Sequence, residues 1–242
     1  DYSFTNNKQL IELDLMNNKI EILLNYSFYG LDKLEYLRLS YNKLRLVDEF
    51  IFSHLINLKN LELYINRIEI LKDRSFNYLF KLENLNLENN NIKIIGQSVF
   101  RDLGNLNFLG GLENQKITYL NSRVFEGLSS IPNLNLADNS IKLIENYSFL
   151  GLNSLIGLNI KMNKIVLIEH KAFDCLENLV NLDLSFNKVK TIFSYTFNCT
   201  NKLEDLSYSN NKIDSIEDNA FQGLVSLKQL HLDNNRIKFI NN

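Results

Sequence analysis

Three residue types associated with acyl-transfer catalysis recur at a constant spacing in the last third of the chain. Asp183, Ser207 and His231 follow one another at intervals of 24 residues. A serine nucleophile needs the histidine between serine and acid, so that the ring takes the serine proton while the carboxylate orients its other nitrogen. Here serine, and not histidine, is the middle residue of the three, and the sequence implies no group that would stabilise an oxyanion. We therefore expect neither enzyme activity nor a cofactor, and the interval itself becomes the informative feature.

The interval belongs to an internal repeat that runs through the chain. Residues 179–189 read LVNLDLSFNKV, apolar at the first, fourth, sixth and last positions, with Asn187 two residues before the last. The equivalent polar residues are Asn18, Asn42, Asn66, Asn90, Gln115, Asn139, Asn163, Asn187, Asn211 and Asn235. The phenylalanines in phase with Phe197 are Phe4, Phe28, Phe52, Phe76, Phe100, Phe125, Phe149, Phe173, Phe197 and Phe221. Residues 1–242 thus predict a single array of about ten 24-residue repeats, one 25-residue repeat near 91–115 and no cap at either end.

The repeat predicts a fold directly. Its L-x-L segment has the alternation of a short strand with one buried face. One coil cannot bury its own apolar face, so neighbouring coils must stack and pair their strands in parallel. The asparagine amides would satisfy turn backbone groups inside the coil, and the phenylalanines would fill the opposite side. We expect an α/β-type repeat solenoid, a horseshoe with a parallel concave β-sheet and a mostly irregular convex side.

The composition disfavours several classes of function. The formal net charge is −2 and the isoelectric point about 6.0, whereas proteins that neutralise phosphates carry a basic excess, so nucleic acid or another polyanion is a disfavoured partner. No run of about 18 apolar residues occurs, so no membrane contact is predicted within this segment. The chain has two cysteines and three histidines, and their positions do not form a metal-binding pattern.

The pattern L-x-x-L-x-L-x-x-N-x-I/L, with phenylalanine ten residues after the asparagine, resembles the leucine-rich repeats of animal extracellular proteins. It is similar to the 24-residue "typical" class of Toll and Toll-like receptor ectodomains over essentially the whole chain. That resemblance implies an extracellular or cell-surface module of an innate immune or developmental receptor, which binds a protein ligand or co-receptor or forms a homodimer. The alternative is a structural or adhesive protein of the chaoptin, Slit or proteoglycan type. The capping cysteines of such proteins are missing, so we expect an interior segment of a longer array.

The two cysteines occupy one column in adjacent repeats. Cys175 and Cys199 each lie two residues after a column phenylalanine. Stacked neighbours at one register fall within the ~7 Å between Cα atoms that a disulfide requires. A bridge would stabilise the fold by roughly 3 kcal/mol in the chain-entropy model, and two buried free thiols fit the sequence equally well.

Three N-x-S/T sequons begin at Asn25, Asn146 and Asn198. The residues equivalent to Asn25 and Asn146 in the other repeats are mostly polar, so this column is expected to face solvent. In a secreted protein all three would carry N-linked glycan on the convex or lateral surface. The concave sheet would then be free of glycan.

The variable positions around each L-x-L define the concave face and hold the candidate ligand site. They carry twelve acidic and four basic residues, bordered by a basic column directly after the asparagines. Such a surface is either solvated or steers a protein partner. Tyrosine and arginine are enriched at binding hot spots, although aromatic residues also suit strands. The predicted ligand-binding residues are Tyr36, Arg38, Tyr41, Tyr64, Ile65, Met162 and Phe186, with Phe108, Leu109 and Ile156 beside the last two.

One repeat is irregular. Residues 106–115 read LNFLGGLENQ, so an extra residue, two adjacent glycines and Gln115 in place of asparagine occur together. Glycine within a strand marks a bulge or a close backbone approach. A tolerated local bulge and a partner chain lying against bare backbone are both compatible with this sequence.

Overall fold

The computed structural model describes residues 3–174 and 176–239, and in these residues every regular element is a short strand. In chain order the strands are β1 (Glu12–Asp14), β2 (Tyr36–Arg38), β3 (Leu46–Val47), β4 (Asn60–Glu62), β5 (Ile70–Leu71), β6 (Asn84–Asn86), β7 (Ile94–Ile95), β8 (Phe108–Gly110), β9 (Asn133–Asn135), β10 (Leu143–Ile144), β11 (Gly157–Asn159), β12 (Leu167–Ile168), β13 (Asn181–Asp183), β14 (Thr191–Ile192), β15 (Asp205–Ser207), β16 (Ser215–Ile216) and β17 (Gln229–His231). Within the same residues no helix is long and apolar enough to cross a membrane.

The three-residue strands build the concave face. Each pairs in parallel with the equivalent strand one repeat away, so that Leu13 aligns with Leu37 and Leu158 with Leu182. The central leucine of each strand points into the coil, while its two neighbours face outward. The two-residue strands form short ladders on the convex side, in the orders β3-β5-β7, β10-β12 and β14-β16. The predicted solenoid, with a parallel concave sheet and a mostly irregular convex side, is confirmed.

The asparagine column joins successive coils by hydrogen bonds. The Asn163 Nδ2 group donates to the carbonyl oxygens of Leu136 at 2.9 Å and Ile160 at 3.1 Å, and its Oδ1 accepts the Ile141 N–H at 3.0 Å. The same three bonds recur at Asn66 and at most other positions of the asparagine column. These amides are buried, and each one satisfies backbone groups of its own coil and of the preceding coil.

The phenylalanine column forms the other half of the core. Consecutive rings from Phe28 to Phe221 stack with centroids 5.7–6.5 Å apart and interplanar angles of 4–18°. Leucine and isoleucine side chains from the strands and turns fill the space between the rings and the sheet. The core therefore continues from coil to coil, and each coil is stabilised by its two neighbours.

The concave sheet is not continuous, contrary to the expectation of one parallel sheet. Strands β1-β2-β4-β6-β8 form one five-stranded sheet, and β9-β11-β13-β15-β17 form a second. The interruption between β8 and β9 coincides with the irregular repeat. The phenylalanine stack crosses it unbroken, from Phe100 to Phe125 and on to Phe149. The insertion therefore changes the concave surface while the core remains regular.

Candidate ligand-binding face

The structure brings most of the first predicted group together on the concave face. The rings of Tyr41 and Tyr64 meet edge to face, with centroids 5.4 Å apart. Ile65 follows Tyr64 and is one repeat beyond Tyr41, while Tyr36 is the first residue of β2. Burial raises the pKa of the Tyr64 phenol, and the nearby Glu62 carboxylate adds to the effect. Both effects favour the neutral form of the Tyr64 phenol.

Arg38, a member of the same predicted group, is surrounded by carboxylates. It hydrogen-bonds Glu12, and its guanidinium lies 3.7 Å from Glu62 and 3.9 Å from Asp14. The bond to Glu12 raises the pKa of Arg38, and the three carboxylates reinforce the shift by charge, against a smaller effect of burial. Three acids around one base leave this part of the face negative. Its role in ligand contact stays a prediction.

A backbone feature unites four of the predicted residues. The residue directly before each member of the asparagine column, Gln115 included, has φ between +51° and +58°, in the left-handed region. Six of these residues are asparagine or aspartate, which tolerate that conformation, namely Asn17, Asn89, Asn114, Asp138, Asn210 and Asn234. The remaining four are Tyr41, Ile65, Met162 and Phe186.

These four residues combine a left-handed backbone with a partly exposed apolar side chain. A left-handed φ costs an ordinary residue roughly 1–2 kcal/mol, and a β-branched residue such as Ile65 adopts it rarely. All four residues are 36–53 % exposed, so each leaves apolar surface in contact with solvent. They form two adjacent pairs, Tyr41 with Ile65 and Met162 with Phe186. The sequence pattern identified these residues through their apolar character, while the strain is visible only in the backbone.

The convex turns contain a second left-handed column. Tyr26, Phe50, Tyr147 and Tyr195 have φ of 59–68° there. Tyr26 and Tyr147 directly follow the sequon residues Asn25 and Asn146, so they lie on the side that glycan would cover. These four therefore share the backbone conformation of the concave set but point to a different surface, which makes them a matched comparison.

The second predicted group is only partly a surface. Phe108, Ile156, Met162 and Phe186 are exposed on the concave face, whereas Leu109 is buried. Leu109 is the central residue of β8 and aligns with the buried Leu85, so placing it on the concave surface was wrong.

The predicted modification sites have distinct environments. Asn25 and Asn198 are exposed, and Asn146 is half-buried with its Oδ1 accepting the Lys171 N–H at 2.9 Å. The Ser148 hydroxyl of that sequon is buried, so attachment of glycan at Asn146 would have to precede folding. Cys199 is half-buried, while its predicted disulfide partner Cys175 lies outside the described residues, so the bridge stays a prediction.

The Asp183, Ser207 and His231 column is aligned as the spacing predicts, with serine in the middle. The His231 Nε2 atom lies 3.6 Å from Asp205 Oδ1 and 3.4 Å from Gln229 Oε1. The Ser207 hydroxyl instead lies 3.5 Å from the Ser209 hydroxyl. This arrangement does not activate serine, because the base and the nucleophile are not hydrogen-bonded to each other.

Pro132 lies beside the sheet interruption, and the repeat pattern gives no indication of its role. At equivalent positions Asn107 donates its N–H to Glu83 at 2.8 Å and Val180 donates to Ile156 at 2.8 Å. Pro132 has no N–H, so it cannot make this bond to the preceding coil. It is the only proline in the chain, and this single occurrence is the sequence feature that could have indicated a missing backbone hydrogen bond.

Comparison with known proteins agrees with this geometry. A sequence model described as "Leucine rich repeat" matches residues 111–165, 132–189 and 177–237, and one described as "BspA type Leucine rich repeat region (6 copies)" matches residues 1–131. The chain belongs to the leucine-rich repeat family. None of the curated protein sequences matches it.

Solved structures of the family include close relatives of this fold. A chain of the "TLR13-ssRNA13 complex" superposes with a TM-score of 0.81 at 32 % identity over 97 % of this chain. Toll of Drosophila in complex with Spatzle superposes with a TM-score of 0.75 at 23 % identity over 96 %. This leucine-rich repeat chain spans 34 % of the length of each. It therefore resembles part of the Toll and Toll-like receptor ectodomains, which are non-catalytic recognition folds.

Proposed function

We propose that this chain is a recognition module of a Toll-like innate immune or developmental receptor ectodomain, at the cell surface or outside the cell. Its concave face binds a protein ligand or co-receptor. The observation that carries the proposal is the pair of strained, exposed apolar sites, Tyr41 with Ile65 and Met162 with Phe186. Large apolar side chains exposed together on one face of a protein are typical of contact sites.

Electrostatics favour a protein over a polyanion as the ligand. The two solved structures contain different classes of ligand, because the TLR13 structure is a complex with single-stranded RNA and the Toll structure is a complex with the protein Spatzle. Here the concave acids outnumber the bases, and Arg38 and Lys59 are already paired with Glu12 and Glu35. Phosphates on this face would meet carboxylates without enough free cations to neutralise them.

A three-way binding experiment tests the proposal. The chain is presented to an array of extracellular proteins from the same organism, to single-stranded RNA and to a heparin-type polyanion. We expect binding to a protein that persists as salt is raised from about 50 to 200 mM, a range over which phosphate-driven binding falls by orders of magnitude. Saturable, strongly salt-dependent binding of RNA or heparin, with no protein bound, would contradict the proposal.

A further inference from the structure

A cavity lies on the concave face at the interruption of the sheet. Its volume is about 320 Å³, and it is lined by residues of β8 and β9 and of the turns that follow β6 and β8. One wall is Phe108, which is 47 % exposed, and Pro132 lies opposite at the start of the next repeat. The cavity therefore results from the insertion and the proline, which prevent β8 and β9 from pairing.

Glycine at position 110 determines the shape of the cavity floor. A Cβ atom at Gly110 would lie 2.8 Å from the Phe108 Cζ atom and 3.3 Å from the Glu88 Oε1 atom. The aromatic ring and the carboxylate therefore both lie over the bare α-carbon. Because glycine has no side chain, the Phe108 ring and the Glu88 carboxylate can lie beside each other over the backbone.

Several of the other concave acids are already paired with a base. Glu12 and Glu62 contact Arg38, and Glu204 pairs with Lys228 at 2.8 Å. Glu88 and Glu113 both line the cavity, and neither forms a salt bridge with any residue in 3–174 or 176–239. Both are half-buried, which strengthens their field relative to fully exposed carboxylates. The cavity is thus negative and lacks an internal cation.

We propose that this cavity is a subsite for one cationic side chain, an arginine or lysine, of a protein ligand. The cation would lie against the Phe108 ring, where the ring quadrupole attracts positive charge, and would bridge Glu88 and Glu113. The inference rests on the proposed function and specifies the charge of the partner at this site. It follows from the aromatic wall, the two uncompensated carboxylates and the absence of a side chain at Gly110, which lets the ring and the Glu88 carboxylate lie together.

A titration with a small probe tests the subsite without the natural partner. Acetyl-Ala-Arg-Ala-amide is added to the isotopically labelled chain, and the backbone amide signals of Gly110 and Gly111 are followed by NMR. We expect saturable shifts with a dissociation constant on the order of 10 mM. The neutral citrulline analogue, which keeps the shape and loses the charge, should bind at least about fivefold more weakly.

Three variants separate local from general electrostatics. Glu88→Gln with Glu113→Gln should weaken arginine binding to the level of citrulline, whereas Glu35→Gln with Glu204→Gln removes two concave charges elsewhere and should leave it unchanged. Gly110→Ala should abolish the shifts by displacing the Phe108 ring, and it preserves folding because Gly110 lacks a positive φ and the ring is free to move.

Specific outcomes would overturn the subsite. These are equal shifts with citrulline and arginine, equal loss of binding in both glutamine pairs, or binding of a single-stranded oligouridylate at the same glycine signals. If the arginine peptide binds as expected but no protein binds the concave face, the proposed function fails while the subsite stands. If a protein binds and the arginine peptide does not, only the subsite fails.

Discussion

At the scale of single residues, Ile65 combines an unfavourable backbone conformation with a partly exposed apolar side chain. Its φ is +51°, a value that isoleucine adopts at a cost, and the residue is 36 % exposed. The equivalent residue in the next repeat is Asn89, with φ of +54°. The same backbone therefore accepts asparagine more readily than isoleucine.

Replacing Ile65 by asparagine should stabilise the protein. Relief of strain at the left-handed residue opposes the loss of partial apolar burial, and we expect a net gain of up to about 1 kcal/mol in the free energy of unfolding. Urea denaturation followed by circular dichroism measures the change. The reciprocal Asn89→Ile should lower stability by a similar amount. A loss of stability in Ile65→Asn would show that this residue serves folding.

Asn163 represents the opposite case, a buried polar residue whose value is entirely structural. Substituting alanine removes the amide partner of the Leu136, Ile160 and Lys161 carbonyl oxygens and of the Ile141 N–H. At about 1–3 kcal/mol for each buried unsatisfied group, we expect a destabilisation of more than about 3 kcal/mol. Asn181→Ala, on the exposed concave surface, is the control and should change stability by less than about 0.5 kcal/mol. Similar losses of stability in both variants would show that the asparagine column does not stabilise the fold.

At the scale of elements, carboxylates link the convex turns of neighbouring coils by hydrogen bonds. The Glu217 carboxylate accepts the N–H of Ser194 at 2.9 Å and its hydroxyl at 2.9 Å, and Glu169 accepts the Asn146 N–H at 2.8 Å. Each carboxylate reaches back one repeat. The hydrogen bonds from Ser194 hold the pKa of Glu217 below its ordinary value of 4.5.

The depressed pKa of Glu217 has a defined consequence for acid stability. Because the folded pKa lies below the unfolded one, the contribution is complete above pH 4.5 and is lost as pH falls through the lower folded value. Glu217→Gln should therefore show a smaller decrease in melting temperature than the wild type between pH 6 and pH 3. Calorimetry at both pH values decides this. An unchanged pH dependence in the variant would contradict the assignment.

The irregular repeat is an element in which backbone geometry dictates sequence. Gly111 has a φ of +84°, and a Cβ atom there would lie 2.1 Å from the backbone nitrogen of Glu88. Backbone cannot yield as a side chain can, so Gly111→Ala should destabilise the protein by at least about 2 kcal/mol. Gly110→Ala is the adjacent comparison, with a smaller expected loss. Thermal unfolding of both variants tests the difference, and equal losses would contradict this explanation.

The sequence predicted some of these elements and not others, for physical reasons. The Asn163 ladder and the Phe173 stack follow from spacing, because every residue in a column must share one environment. The carboxylates around Arg38 come from the repeats on either side of it, and the repeat pattern alone does not determine which of these side chains meet. To predict the interruption of the sheet, the insertion and the missing N–H of Pro132 would have to be considered together, because each alone is a weak indication.

At the scale of the whole molecule, the concave face is divided by the sheet interruption into two halves, each with one strained apolar pair. Tyr41 and Ile65 lie on the first sheet, and Met162 and Phe186 on the second. The acidic cavity at Phe108 lies between them. The solenoid core is continuous beneath all three sites, so the scaffold holds them at fixed separations. A single protein ligand that contacts both pairs would cross the cavity.

The most direct test of this account compares the affinity of the bound protein for two matched variants. The concave variant carries asparagine at Tyr41, Ile65, Met162 and Phe186, and the convex variant carries asparagine at Tyr26, Phe50, Tyr147 and Tyr195. Since hot-spot aromatic residues contribute about 2 kcal/mol or more each, the concave variant should bind at least about 100-fold more weakly, without a lower melting temperature. The convex variant should bind like the wild type. Full affinity in the concave variant, or loss confined to the convex one, would contradict the central claim.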